Sequence, residues 1–282
     1  MQPDQLADSR RRWLRAASCA TVGVAVSSSL RAFEPPLVSK ASPSAADAFE
    51  SAEVGQAADR GSDQLNIVEL FTSQGCSSCP PADRVLADLV ERHESEGVPA
   101  IGLSFHVDYW NHLGWQDPFS SAFWSQRQKR YANVLKDRVY TPQMIVNGQT
   151  GFVGSRRKQL DAILDQAKET APEHQIELRA EQDAQRGVNV TYSVTGEGEG
   201  RLVNFALVAR SLSATASRGE NAGRTLTHAN VVRDFAIRRL TEPSGELTWP
   251  TPSDAGASFA VVAYVQHAKS AMITSAVEQS LS

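Results

Sequence analysis

Cysteine is scarce in this chain, with three residues in 282, and so few cannot build a disulfide-rich scaffold. One of them, Cys19, lies in a segment expected to be removed, which leaves Cys76 and Cys79 as the pair of the mature protein. Such a lone C-x-x-C is redox-active, metal-binding or a small structural staple. An excess of basic charge is lacking too: 28 Lys and Arg stand against 32 Asp and Glu, a net charge of −4, which argues against a nucleic-acid footprint. Long apolar runs are also missing. The uncharged stretch from Ala16 to Leu30 is too short and too rich in Ser, Ala and Gly for a transmembrane helix, so stable membrane insertion is not expected. What is present is a 41% hydrophobic content, enough for a full core, over a length that suggests two domains.

Residues 1–32 read as an export signal. Ser9-Arg10-Arg11-Arg12-Trp13-Leu14-Arg15 resembles the twin-arginine pattern and precedes the uncharged stretch. Cleavage near Ser29 or Ala32 is expected, with Ala46-Asp47-Ala48 a later alternative, and the product is periplasmic or secreted. An organelle transit peptide is the rival reading of this Arg- and Ser-rich segment. Residues 33–63, rich in Ser, Ala, Pro, Glu and Gly and without a sustained period, read as a solvated linker.

The chemistry concentrates where the apolar run Ile67 to Phe71 meets a polar turn and then Cys76-Ser77-Ser78-Cys79. Val85, Leu86, Leu89 and Val90 follow at helical spacing. This predicts a strand, a loop and a helix with both cysteines at the helix N-terminus, where unpaired N–H groups and the helix dipole favour a thiolate. Further on, the pattern predicts a buried parallel strand over Ala100 to Val107, an aromatic segment from Asp108 to Phe119 and a helix over Ser121 to Leu135. A hairpin at Asn147-Gly148 and a helix from Arg157 to about Lys168 complete the order. After Pro172 the sequence turns to short alternating strands, at 175–180, 188–195, 202–210, 230–240 and 258–266. Turns fall at 196–200 and 218–223, and together these suggest a small β-sandwich of immunoglobulin-like or fibronectin-like shape that recognises or positions a partner.

The strand, C-x-x-C and helix, with Thr141-Pro142 leading a strand that turns at Asn147-Gly148, resemble the thioredoxin superfamily. More narrowly, Glu69 to Asp83, His106-Val107-Asp108-Tyr109-Trp110, Gly114 to Phe119 and Tyr140-Thr141-Pro142-Gln143 are similar to a family of exported bacterial proteins of unknown function, DUF1223, over most of residues 65–270. The resemblance implies a thioredoxin-like α/β domain over 64–171, and the strand pattern adds the β-sandwich over 172–270 and a C-terminal tail over 271–282. The resemblance also implies a cis Thr141-Pro142 bond facing the cysteines. Two features depart from the thioredoxin pattern. No Trp precedes Cys76, and Pro80-Pro81 follow the pair directly, which places Cys79 at the edge of the helix.

The function expected is thiol-disulfide exchange on protein or small-molecule thiols, with no cofactor beyond the cysteines. Cys76, expected to be exposed, attacks as thiolate, and Cys79 resolves the mixed disulfide. Thioredoxins place a buried acid at a similar distance before the first cysteine, which makes Glu69 a candidate proton acceptor for Cys79; the alternative is that Glu69 faces an edge or pairs with a basic side chain. Trp110, Trp115 and Phe119, with Trp124, form either a packed cover or a surface for an apolar peptide segment. His106, Asp108 and His112 could join the cysteines around zinc or copper, which makes a metal carrier the alternative function. A binding protein with a structural disulfide is the third. His228 is either a ligand or a hairpin position.

Overall fold

The computed structural model describes residues 65–281 apart from 168–170, 184–186, 251–252 and 255. The segments read as export signal and linker lie outside the described residues.

The apolar run forms β1 (Asn66–Thr72), buried along its whole length, as befits a strand packed on both faces. Its alternation sends Val68 and Leu70 into one apolar cluster and Ile67 and Phe71 into the opposite one. The helix α1 (Pro80–Glu96) starts on its two prolines, whose missing N–H groups have no intrahelical partner in a first turn, and ends at Gly97 with φ 71. Ala82, Val85, Leu86 and Leu89 recur at helical spacing and pack on Val68 and Leu70.

Parallel to β1 runs β2 (Ala100–Val107). The aromatic segment after it makes one 3-10 turn at Asn111–Leu113, then β3 (Ser120–Ser121) and α2 (Ala122–Leu135), whose Trp124 and Tyr131 cover the face opposite α1. Next come β4 (Gln143–Val146), antiparallel to β1, then β5 (Thr150–Val153) and α3 (Arg157–Ala167). The turn between β4 and β5 is the expected Asn147-Gly148. Gly148 has φ +68, and a Cβ there would sit 1.8 Å from the Ala271 carbonyl oxygen, so both backbone angle and close approach call for glycine.

The remaining strands are β6 (Gln175–Asp183), β7 (Gly187–Thr195), β8 (Arg201–Thr215), β9 (Thr225–Arg239), β10 (Ser244–Trp249), β11 (Phe259–His267) and β12 (Ile273–Ser280). They do not form a separate sandwich. The expected architecture, a thioredoxin-like α/β domain followed by a β-sandwich, is corrected by one nine-stranded mixed sheet in the order β12-β11-β8-β9-β2-β1-β4-β5, with β3 attached to β2. Only β10, β7 and β6 form a second sheet. It covers one face of β8 and β11, where Val188, Val190, Tyr192 and Trp249 meet Phe205, Leu207 and Val261. The two parts join where β2 meets β9, at Ser104 opposite Val231, beside an Asn230 side chain that donates to the Gly102 carbonyl at 2.9 Å.

Strand alternation tells which face is buried but not which neighbour an edge will take, so most of these strands, though not β10, were legible and their partners were not. Two of them, β8 and β9, are also far longer than their apolar runs, at 15 residues each. The polar half of that hairpin reaches back to the cysteines. The residues read as a tail, 271–282, contain β12, paired antiparallel with β11. Among the described residues, no helix is long and apolar enough to cross a membrane.

Candidate functional site

The turn from β1 into α1 is built by short-range bonds. The Cys76 N–H donates to the Ser73 carbonyl at 3.2 Å, that of Cys79 to the Cys76 carbonyl at 3.2 Å, and that of Gly75 to the Ser73 hydroxyl at 3.1 Å. Cys79 is the N-cap of α1, so the proline pair does hold it at the helix edge. Both cysteines are free. The Thr141-Pro142 peptide is cis, and the Thr141 hydroxyl accepts from the Trp110 indole at 2.7 Å.

The two sulfurs differ sharply. A hydrogen bond from the Cys79 thiol lowers Cys76 most; burial opposes it, Ser78 and Thr141 add donors, and the outcome is a pKa of about 6. Ser78 Oγ lies 3.2 Å from Cys76 Sγ. Cys79 is pushed far up, chiefly by burial, then by the Cys76 sulfur and the Asp83 carboxylate. Such a split suits a nucleophile and a thiol that waits. Tyr109 is raised to about 12, first by burial, although its hydroxyl donates to Gln128 Oε1 at 3.1 Å.

Cys76 is not exposed, contrary to expectation: 1% of its surface meets solvent, against 0% for Cys79. Tertiary neighbours account for this. Residues 216–224, the loop between β8 and β9, lie over the turn as a strap. Fully buried Asn221 donates through Nδ2 to the carbonyls of Gln74 and Cys76, both at 2.9 Å, and accepts from Arg224 Nη1 at 2.7 Å. The Glu220 carboxylate accepts from the Ser77 N–H at 2.8 Å, which lowers its pKa. On the other side Trp110 presses so close that a Cβ on Gly75 would stand 2.9 Å from the Trp110 Cβ.

Beneath the turn lies a buried polar layer. Asp117 accepts from the Gln74 N–H at 2.9 Å and pairs with His106 Nδ1 at 2.7 Å. Burial works against its charge, but His106 and the backbone donors of Gln74 and Phe119 prevail and hold it down to about 2. The His228 ring stands edge-on to that of His106, centroids 4.4 Å apart. Its Nε2 lies 3.3 Å from Gln74 Nε2 and its Nδ1 3.6 Å from Asp83 Oδ2.

The sequence-predicted residues separate into four groups. Cys76, Cys79 and Thr141 converge, Pro142 lies with Ala82 of α1 around Gly154, and Trp110 and Trp115 flank the turn, the latter donating to Gln74 Oε1 at 3.0 Å. Phe119 is buried against His106, His228 and the Arg233 guanidinium, so it is a wall of the polar layer and not a surface for a peptide. Glu69 lies on the face of β1 away from Thr72 and α1. There it is bound by Arg127 Nε at 2.8 Å, by the Tyr131 hydroxyl, and by the Tyr264 hydroxyl at 3.3 Å. Its expected role at Cys79 is therefore corrected to ion pairing in the core. His106, Asp108 and His112 have separate partners, in Asp117, Ser125 and the Tyr109 carbonyl, and among the described residues no three His, Cys, Asp or Glu converge on a metal position.

Sequence reasoning passed over Thr72, Asp83, Asn221 and Glu220. Asp83 carried a usable signal, since it follows Cys79 by four residues, one helical turn. Asn221 and Glu220 sit in a segment that reads only as a turn.

Comparison with known proteins adds the following. No functionally curated protein matches the chain in sequence. A crystal structure of a protein from Agrobacterium tumefaciens, solved in structural genomics, is similar at 28% identity and TM-score 0.57, over 76% of this chain and 93% of that one. HBP35 of Porphyromonas gingivalis is similar in fold alone, at 14% identity and TM-score 0.55, over 78% of this chain and 76% of that one. The profile of the protein family of unknown function DUF1223 matches residues 67–266. That span runs from β1 through β11 and takes in the cysteine turn, the cis-proline and the strap, so the chain belongs to the DUF1223 family.

Proposed function

We propose that this protein is a thiol-disulfide exchanger in which Cys76 is the attacking sulfur and Cys79 the resolving one. The observation that carries the reading is the pair of free thiols at the start of α1, with Ser78 Oγ 3.2 Å from the first sulfur and Asp83 one helical turn after the second, so that Cys76 is lowered and Cys79 raised. A staple would need no such asymmetry. The reading leans on the local likeness to thioredoxins around the C-x-x-C, not on the wider fold. Its clients are protein or small-molecule disulfides and thiols. The twin-arginine-like pattern at Ser9 to Arg15 supports a site of action outside the cytoplasm, where disulfides persist.

The test is trapping. Reduced Cys79→Ser protein is expected to accumulate mixed disulfides with clients, and Cys76→Ser protein almost none, as read by non-reducing electrophoresis and mass spectrometry. Trapping by Cys76→Ser alone would reverse the roles. Absence of trapping by either, with equal slow alkylation of both thiols, would remove the exchange reading.

A further inference from the structure

We propose that Asp83 takes the proton of Cys79, relayed through the Thr72 hydroxyl, when Cys79 attacks a mixed disulfide on Cys76. This rests on the exchange reading above and adds the base that the resolving step requires.

The geometry begins with two periodicities. Thr72 follows Val68 and Leu70 on the α1 face of β1, and Asp83 follows Cys79 by one turn of α1, with its N–H bonded to the Cys79 carbonyl at 3.1 Å. The two side chains meet. Thr72 Oγ1 donates to Asp83 Oδ1 at 2.7 Å, and the same hydroxyl is near enough to the Cys79 sulfur to favour its thiolate. A hydroxyl has one proton to give and lone pairs to accept another, so it can pass the Cys79 proton on to the carboxylate. All three groups are buried, which keeps water from doing the same work.

Burial, the Cys76 sulfur and the Asp83 charge all hold the Cys79 thiol protonated. Left to solvent, the resolving thiolate would be rare at neutral pH. The ionisable groups facing Asp83 are Cys79, one helical turn before it, and His228 from β9, whose Nδ1 lies 3.6 Å from Oδ2 without a hydrogen-bond partner. Behind His228 stand His106 of β2 and Asp117, and Tyr109 faces the cysteines.

The step balances as follows. The Cys79 S–H proton moves to Thr72 Oγ1 while the Thr72 proton moves to Asp83. The Cys79 thiolate forms the Cys76–Cys79 bond with its electron pair and breaks the bond between Cys76 and the client sulfur. The client leaves as a thiolate and takes a proton from solvent. The protein dithiol is oxidised and the client disulfide is reduced.

The experiment uses the full reduced chain and dithiobis(nitrobenzoate) in stopped flow. The first nitrothiobenzoate released reports attack by Cys76, and the second reports resolution by Cys79. In Asp83→Asn the second release is expected to slow by about a hundredfold relative to the first. It is then expected to climb about tenfold per pH unit through neutrality, because only solvent deprotonates Cys79, while the wild-type second phase stays nearly flat. Thr72→Val should slow the second phase likewise and Thr72→Ser should restore it, a pair that keeps the test intact if Asp83→Asn does not fold. An unchanged or faster second phase in Asp83→Asn overturns the proposal, since a mere neighbouring charge would, once removed, ease ionisation of Cys79. Equal second phases in Thr72→Val and Thr72→Ser overturn it too. A wild-type protein that releases no nitrothiobenzoate at all sinks the exchange reading itself.

Discussion

The chemistry of this site is set by single donors. Cys76 is held near a pKa of about 6 mainly by the Cys79 thiol, helped by Ser78 and Thr141, so it is a thiolate at neutral pH although it is buried. Its alkylation rate is therefore expected to rise with pH below that value and to level off above it. Iodoacetamide labelling followed by peptide mass spectrometry measures this, and an inflection near the ordinary thiol value of about 8.5 would contradict it. Glu69 illustrates the opposite case, a carboxylate fully buried with no part in the site. Burial alone would lower the pKa of Arg127, but Glu69, Tyr131 and Tyr264 raise it well above its ordinary value, and the guanidinium lies 4.9 Å from the Phe235 ring centre. Arg127→Met strands the carboxylate and is expected to cost about 3 to 5 kcal/mol in denaturant unfolding. Glu69→Gln in the same chain should recover part of that. A second nitrothiobenzoate release slowed in Glu69→Gln alone, with the first unchanged, would return Glu69 to the site.

At the scale of elements, the long β8 and β9 hairpin decides access. Its apolar half is in the sheet, and its polar tip delivers Asn221 and Glu220 to the cysteine turn. Asn221 leaves no acceptor of its own idle, because Arg224 donates to its Oδ1. Asn221→Ala removes two bonds to the turn and is expected to speed alkylation of Cys76 severalfold while the inflection near pH 6 remains. Unchanged labelling kinetics would show that the strap does not limit access. The same hairpin explains why the turn signal at Arg218 to Gly223 looked bland: a loop announces where the chain reverses, and only the packed sheet says what lies beneath it.

Across the whole molecule, the cysteine half and the C-terminal strands share one core. Phe71, Phe105 and Tyr131 pack with Val208, Val232, Val262 and Tyr264, and Gln266 donates to the Tyr131 hydroxyl at 2.9 Å. A fragment ending at residue 171 loses the strand beside β2 and opens the buried ion pair. It is expected to show no cooperative thermal transition by circular dichroism, whereas the chain from residue 64 to its end should show one. A fragment that melts as sharply as the whole would establish the separate domain that the strand pattern first suggested.

Local pattern was enough for the elements around the site. Alternation in Ile67 to Phe71, the proline pair after Cys79, helical spacing from Val85 to Val90 and the Asn147-Gly148 turn each act over a few residues, so β1, α1 and the hairpin could be read directly. The motifs Glu69 to Asp83, His106 to Trp110, Gly114 to Phe119 and Tyr140 to Gln143 carried their own signature, and the DUF1223 family followed from them. Tertiary structure decided what depends on distant partners: that β9 joins β2, that Glu69 meets Arg127 while Asp83 meets Thr72, and that Asn221 covers Cys76. Burial of a face is written in the period of a strand. The identity of the atom on the other side of that face is written in a segment up to 195 residues away, and no local periodicity reaches so far.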